Sequence, residues 1–503
     1  MSAGALAEKP DVRSLLERGL ACHHGGQLKE AAAFYLQVLA VEPDNPDALN
    51  FLGVARRAEG DVAGAVALLK RAVALRPEQA DIHNNLGNAL ASVGEAAAAE
   101  AAFRAAISLK ADFVFPHFGL ARLLGEAGRL AEAEGFYRQV LALSPTHLEA
   151  KHNLANALRE QARVRESIRL LEEVVGAAKD LPEAHYNLAL SHFMNGDLQA
   201  AGPHYEWRWW TKEFPAPLRP FIQPLWNGAA QPEATLLLHC EQGLGDTLQF
   251  IRFARAARAL VGRMVIELPA KLRRVLKPFT DTLDAEVVSA GQPLPAFDCH
   301  APLLSLPYYL GRTMATIEGE PYLSAEPALA LRWKRLLQPG RELLVGLNWQ
   351  GNPAAKIDRG RSLPLAQLAP LARLKGVRFV ALQKGAGAEQ VGRLPPEFKV
   401  ESLGQAYDSG PDAFCDAAAV LANLDVVITT DTSMAHLAGA MGRPLFVILK
   451  KVPDWRWGLA GGASPWYPSA KLFRQAREAD WSGPVCAMVE ELATRLRNKE
   501  TGT

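Results

Sequence analysis

The sequence predicts an array of paired helices, an α-solenoid, followed by two Rossmann-like α/β halves. Three observations predict it: a 34-residue period in the first two hundred residues, a proline-rich break after them, and short apolar runs alternating with helical stretches beyond. Leu52, Leu86, Leu120, Leu154 and Leu188 carry the period, each followed by a small residue: Gly53, Gly87, Ala121, Ala155 and Ala189. A second small position recurs at Ala31, Ala65, Ala99, Ala133, Ser167 and Ala201, and a large one at Tyr35, Leu69, Phe103, Tyr137, Leu171 and Tyr205. Small residues let helices approach and large ones fill the gaps. Gly26, Gly60, Gly94, Gly128 and Gly196 mark the turn inside each pair, with Ala162 in that place in the fifth unit.

Period and pattern resemble tetratricopeptide repeats (TPRs), and residues 1–210 are expected to form that domain. Such arrays present a concave groove that binds protein. Asn85, Asn153 and Asn187 share one repeat position, with Asn50 and Asn84 at the neighbouring one. An amide both donates and accepts, so a ladder of them can hold a peptide backbone, as similar ladders do in TPR-fused O-linked glycosyltransferases. Solvated helix residues are the plainer alternative. The aromatic stretch HYEWRWW, His204 to Trp210, is expected to cap the array and dock it on the next domain. Residues 211–234 carry five prolines and read as a linker.

From Thr235 the apolar runs fall into two groups. TLLLHC, MVIEL and AEVVSA predict a first half over 235–325; LLVGLNW, RFVALQ, DVVITT and LFVIL predict a second over 326–503. Runs of this kind separated by helices form parallel sheets, and ligands bind at the carboxyl ends of their strands. The unusual motifs lie there. CEQGLGDTLQF places Gly243 and Gly245 in a turn and Asp246 at a helix start, either as a helix cap or facing the cleft. The third glycine and later acid of a dinucleotide fingerprint are missing, which excludes that class.

After DVVIT comes TDTSMAHLAGAMGRP. Thr432 and Ser433 offer hydroxyls and amides at a helix start that favours anions. Asp431 would repel phosphate, so it caps the helix or takes a sugar hydroxyl, and His436 lies one turn on from Thr432. NWQGNPAAKIDRGRSLPL supplies Lys356, Arg359 and Arg361 as phosphate partners or as a solvated cluster, and ALQKGAG supplies Lys384. PDWRWGLAGGASPWYPSAKLFRQ gathers aromatics that stack on a ligand or latch domains together.

DTSMAHLAGAMGRP is similar to the nucleotide-binding segment of heptosyltransferase-like glycosyltransferases, and QGLGDTLQF looks like their Gly-Asp loop. With TPRs in front and DWRW and SPWYP behind, the chain resembles bacterial TPR-fused glycosyltransferases, some of which modify flagellin or other proteins. The architecture parallels O-GlcNAc transferase. The resemblance implies a GT-B fold with nucleotide-sugar donor in the second half and acceptor across the cleft. It implies Asp246 as catalytic base, with Glu241 and His239 in reserve. Asp431, Thr432, Ser433, His436, Lys356 or Arg361, and Lys384 become donor contacts. Asn85, Asn153, Asn187, Gly243 and Gly245 become acceptor contacts. The first half is short for that fold.

Composition agrees. Lys plus Arg (55) nearly balance Asp plus Glu (54), which argues against a nucleic-acid footprint. Five scattered cysteines without CxxC fit a reducing compartment, and no 18-residue apolar run or leader is evident, so a cytoplasmic protein with no membrane span is expected. No D-x-D pair occurs, so transfer without metal or cofactor is expected, with the nucleotide-sugar as substrate. Two other classes remain: a non-catalytic TPR scaffold with an inactive transferase-like domain, and a different α/β enzyme using the cleft for another nucleotide.

Overall fold

The computed structural model describes residues 11–212, 214, 216–354 and 358–501, and the chain divides into two compact units, 1–179 and 180–503. The first unit holds five helix pairs: α1–α2 (Val12–His24, Leu28–Val41), α3–α4 (Pro46–Ala58, Val62–Leu75), α5–α6 (Ala80–Ser92, Ala96–Leu109), α7–α8 (Val114–Glu126, Leu130–Leu143) and α9–α10 (Leu148–Glu160, Val164–Ala177). The small-large pattern is a contact. A Cβ on Gly53 would lie 2.7 Å from the Leu69 side chain, and one on Gly87 2.7 Å from Phe103. The turn glycines all take positive φ, from 75° at Gly26 to 94° at Gly60, and Ala162 takes 63° in the same place. The backbone shape is therefore kept where the glycine is not, at the strain a Cβ brings to the left-handed region.

The second unit begins with a sixth pair, α11 (Pro182–Met194) and α12 (Leu198–Tyr205), although the repeat pattern places this pair with the array. Two parallel sheets follow. The first has the order β3-β2-β1-β4, from β1 (Gln231–His239), β2 (Val261–Leu268), β3 (Glu286–Ser289) and β4 (Cys299–Pro302). Its first strand starts inside the stretch read as linker, and Leu225 bridges to His300. The second sheet has the order β10-β9-β8-β5-β6-β7, from β5 (Leu343–Asn348), β6 (Val377–Ala381), β7 (Val400–Ser402), β8 (Val426–Thr430), β9 (Leu445–Leu449) and β10 (Ala470–Arg474). The helices between strands are α13 (Leu244–Phe250), α14 (Ala254–Arg258), α15 (Arg273–Thr280), α16 (Leu306–Tyr309), α17 (Pro327–Leu337), α18 (Cys415–Leu421) and α19 (Ser433–Ala440), with α20 (Ser482–Thr501) last.

The three central strands of the second sheet, β5, β8 and β9, are buried throughout, as helices on both faces require. One apolar core runs from Phe193, Leu198 and Tyr205 through the first sheet to Met434 and Leu437, and a second lies under α20 around Trp349, Phe446 and Met488. The stretch after α12 docks within this unit. Arg208, fully buried, donates to Glu241 Oε1 at 3.1 Å, Ser305 Oγ at 2.9 Å and Glu206 Oε1 at 3.2 Å.

Candidate functional site

The turn from β1 into α13 and the turn from β8 into α19 meet at the carboxyl edges of the two sheets. Gly243 is the N-cap of α13 and Asp246 its third residue, whose Oδ2 accepts from the Gly243 amide at 3.1 Å. Neither Gly243 nor Gly245 has a positive φ, so the tight-turn reason for these glycines does not hold. Gly245 is small for another reason: its face lies against Ser433 and His436 of α19. Arg456 Nη2 donates to Asp246 Oδ1 at 2.5 Å. Burial pushes the Asp246 carboxyl upward, and Arg456 opposes the push.

On the facing side, Thr432 rather than Asp431 is the N-cap of α19. Its hydroxyl donates to Asn348 Oδ1 at 2.8 Å, as Thr429 does at 3.0 Å. Asn348 in turn donates to Gln383 Oε1 at 2.8 Å, which also accepts from the Gln350 amide at 3.0 Å. The ends of β5, β6 and β8 are thereby tied through amide side chains. Asn348 and Gln383 stood inside stretches read for their charges. Their signal was position: a polar residue directly after an apolar run.

These strand ends floor a cleft of about 690 Å³. Thr432, Ser433, Asn348 and Lys384 line it, with Phe414 and Asp408 from the segment before α18 and Lys271 from the first half. The Ala413 amide donates to the Lys271 carbonyl at 2.9 Å, linking the two halves at this lining. Lys384 Nζ donates to the Asp408 carbonyl. Phe414 and Asp408 both hold positive φ, 65° and 43°, where side chains bring strain.

The other expected donor contacts lie away from this lining. His436 is buried, its Nδ1 3.0 Å from the Tyr467 hydroxyl and its ring stacked on Trp457. Burial, with Arg456, Arg252 and Arg361 nearby, holds it well below the usual imidazole range and hence neutral. Asp431 is buried too, pushed up to about 6 by burial and then by Asp454. Arg361 is held by Asp358, Nε to Oδ1 at 3.3 Å, against Gly351. Lys356 lies outside the described residues.

The reserve bases Glu241 and His239 are both buried. The Glu241 side chain is 1% exposed and paired with Arg208; burial leads in pushing it up to about 7. His239 is buried with Nε2 3.2 Å from His300 Nδ1, pushed down to about 3. Among the repeat asparagines, Asn85 Nδ2 donates to Asn50 Oδ1 at 2.9 Å, and Asn187 Nδ2 to the Glu183 carbonyl at 2.9 Å. Asn153 is half-buried beside Tyr137. The loop aromatics latch rather than wait for a ligand: Trp466 packs on Phe250 and Phe253, Trp455 on Phe193, and Trp457 is buried on His436.

Residues 366–482 match the model of glycosyltransferase family 9 (heptosyltransferase). Residues 3–47, 53–94, 80–113 and 124–190 match tetratricopeptide-repeat models. The transferase match contains Lys384, Asp431 to His436 and Arg456; Asp246 lies outside it. The chain is similar to Protein FlbA of Caulobacter vibrioides, 28% identical over 297 residues, which is 54% of this chain and 48% of that protein. It thus spans about half the length of that curated relative. Among solved structures it is similar to PilF of Pseudomonas aeruginosa (16% identity, TM-score 0.36, covering 38% of this chain and 88% of that one). It is also similar to YrrB, a TPR protein with an unusual peptide-binding site (19%, TM-score 0.31, 35% and 91%). The chain joins TPR repeats to a glycosyltransferase family 9 domain.

Proposed function

We propose that this TPR-linked family 9 chain is a GT-B glycosyltransferase that moves a sugar from a nucleotide-sugar to a hydroxyl of a protein acceptor. The observation that carries the reading is the packing of the Asp246 turn on the start of α19 beside the cleft. Gly245, beside Asp246 in sequence, touches Ser433, and Ser433 lines the space where strand ends and a helix N-terminus converge. Diphosphate charge fits the Ser433 end of α19, with Lys384 and Lys271 at the rim and no metal called for. Asp246, on the first half, takes the proton of the attacking hydroxyl. The TPR unit binds the acceptor, with flagellin the instance the resemblance offers, and the protein works in the cytoplasm. Among the described residues no helix is long and apolar enough to cross a membrane.

The test is a screen of UDP-, GDP-, ADP-, dTDP- and CMP-sugars for thermal stabilisation. A donor at 100 times its Kd adds about 2.7 kcal/mol. Removing residues 1–179 is expected to keep that stabilisation and abolish transfer to protein. A chain stabilised by no nucleotide-sugar would return the scaffold reading; transfer to protein at the wild-type rate by the shortened chain would free the repeats for another role.

A further inference from the structure

The turn Asp454 to Trp457 sends one charged side chain inward. Arg456 is 8% exposed, and all three guanidinium nitrogens are engaged. Nη2 donates to Asp246 Oδ1 at 2.5 Å, Nε to Gln249 Oε1 at 2.8 Å and Nη1 to Asp454 Oδ1 at 2.9 Å. Two of the three acceptors stand on α13, in the other half of the transferase. The plane of the fork lies near two aromatic rings, 4.8 Å from the Trp455 centroid and 5.4 Å from that of Phe250. A flexible ammonium could satisfy one of these partners but not the whole set, because only a guanidinium offers several donors in one rigid plane.

We infer that Arg456 is the positioning residue of Asp246, fixing one carboxylate oxygen and keeping the group charged, an assignment that rests on Asp246 being the base proposed above. With the Gly243 amide on Oδ2 and Arg456 on Oδ1, the carboxylate has a donor on each oxygen and one orientation. The surroundings otherwise favour the neutral acid. Burial and Asp454 both push Asp246 upward, and Arg456 is the largest opposing influence. The remaining titratable groups that face this pair add no positive charge near neutral pH: Tyr205 of α12 is held far above its usual range by burial, and His436 of α19 is held neutral. Arg252 lies further along α13's continuation, bonded to the carbonyls of Trp466 and Glu318. Arg456 also bonds Asp454, whose charge pushes Asp431 upward, so the same fork acts on the surroundings of both acids.

The experiment reads Asp246 directly in the full chain. Its carboxyl carbon is followed by carbon-13 NMR across pH, with the resonance assigned by its loss in Asp246→Asn. An opposite charge at hydrogen-bond distance lowers a carboxyl by about 1–3 pH units, so Arg456→Gln is expected to move the midpoint up by about that much. Arg456→Lys, the variant safer for folding, is expected to move it less. The acid limb of turnover with the donor identified by the screen is expected to shift to higher pH in parallel, with donor KM within about twofold and partial rescue by Lys. A merely structural arginine would lower the rate equally at every pH. An unmoved midpoint in both Arg456 variants, with Asp246→Asn inactive, leaves the base and overturns the positioning role. Near-normal turnover in Asp246→Asn removes the base, and the role of Arg456 with it.

Discussion

Gly245 stands where a side chain would strike Ser433: an added Cβ would be 3.0 Å from Ser433 Oγ and 3.2 Å from His436 Cδ2. The first turn of α13 is thus seated on the first turn of α19, one half of the transferase touching the other at the cleft.

Gly245→Val is expected to force α19 back from α13. Overpacking at such a contact costs about 1–3 kcal/mol. Because Ser433 and Thr432 move with the helix, donor affinity should fall about tenfold beyond any loss of stability. Calorimetric titration beside a thermal melt separates the two; unchanged affinity in a destabilised protein would take the α19 start out of the donor site.

Asp246→Asn keeps the bond from the Gly243 amide and removes the charge. A general base contributes about 10²–10⁴-fold, so kcat should drop by that factor with donor binding little changed. Turnover near the wild-type rate would leave Asp246 as a cap and ion-pair partner only.

Asp431→Asn should raise stability while lowering donor affinity. Burial holds the Asp431 carboxyl at about 6, above its usual 3.8, so the folded state binds the proton more tightly than the unfolded chain. The corresponding stability is present below about pH 4 and is lost as pH rises through 6. Asn imitates the protonated form, so the variant should match wild type near pH 4 and exceed it by on the order of 1–3 kcal/mol at pH 7. Denaturant melts at both values check the sign. A donor affinity that does not fall would mean Asp431 never meets the sugar.

Ala162→Gly should stabilise the TPR unit. A left-handed alanine costs about 1–2 kcal/mol, and the extra freedom of glycine in the unfolded chain returns roughly 0.4–1 of it. A net gain of about 0.5–1 kcal/mol is expected in urea melts of the isolated repeats, and a loss would mean the Ala162 methyl makes a contact worth more than the strain.

Much of the architecture was legible because it is periodic. Leucines and small residues at one spacing announced the helix pairs, and unbroken apolar runs announced seven of the strands. β4, β7 and β10 escaped for stated reasons: Cys299–Pro302 is short and ends in proline, Val400–Ser402 has three residues, and Ala470–Arg474 is interrupted by Lys471. In the site, Asp246 and Thr432 announced themselves as polar residues at strand-to-helix turns. Arg456 did not, because its meaning lies in an acid 210 positions away and no local pattern encodes that distance. Likewise the ring of Trp457 reads as a ligand platform until its neighbour His436 is seen to occupy it.

The buried knot of Arg208, Glu241 and Ser305 bears on how such proteins can be recombined. Since the sixth helix pair shares its apolar core with the first sheet, and Arg208 just after it binds Glu241 and Ser305, cutting the gene at the end of the repeat pattern would split a single hydrophobic and ionic unit. A chimera meant to give this transferase a new clientele should therefore exchange residues 1–179 and leave the last pair with its enzyme.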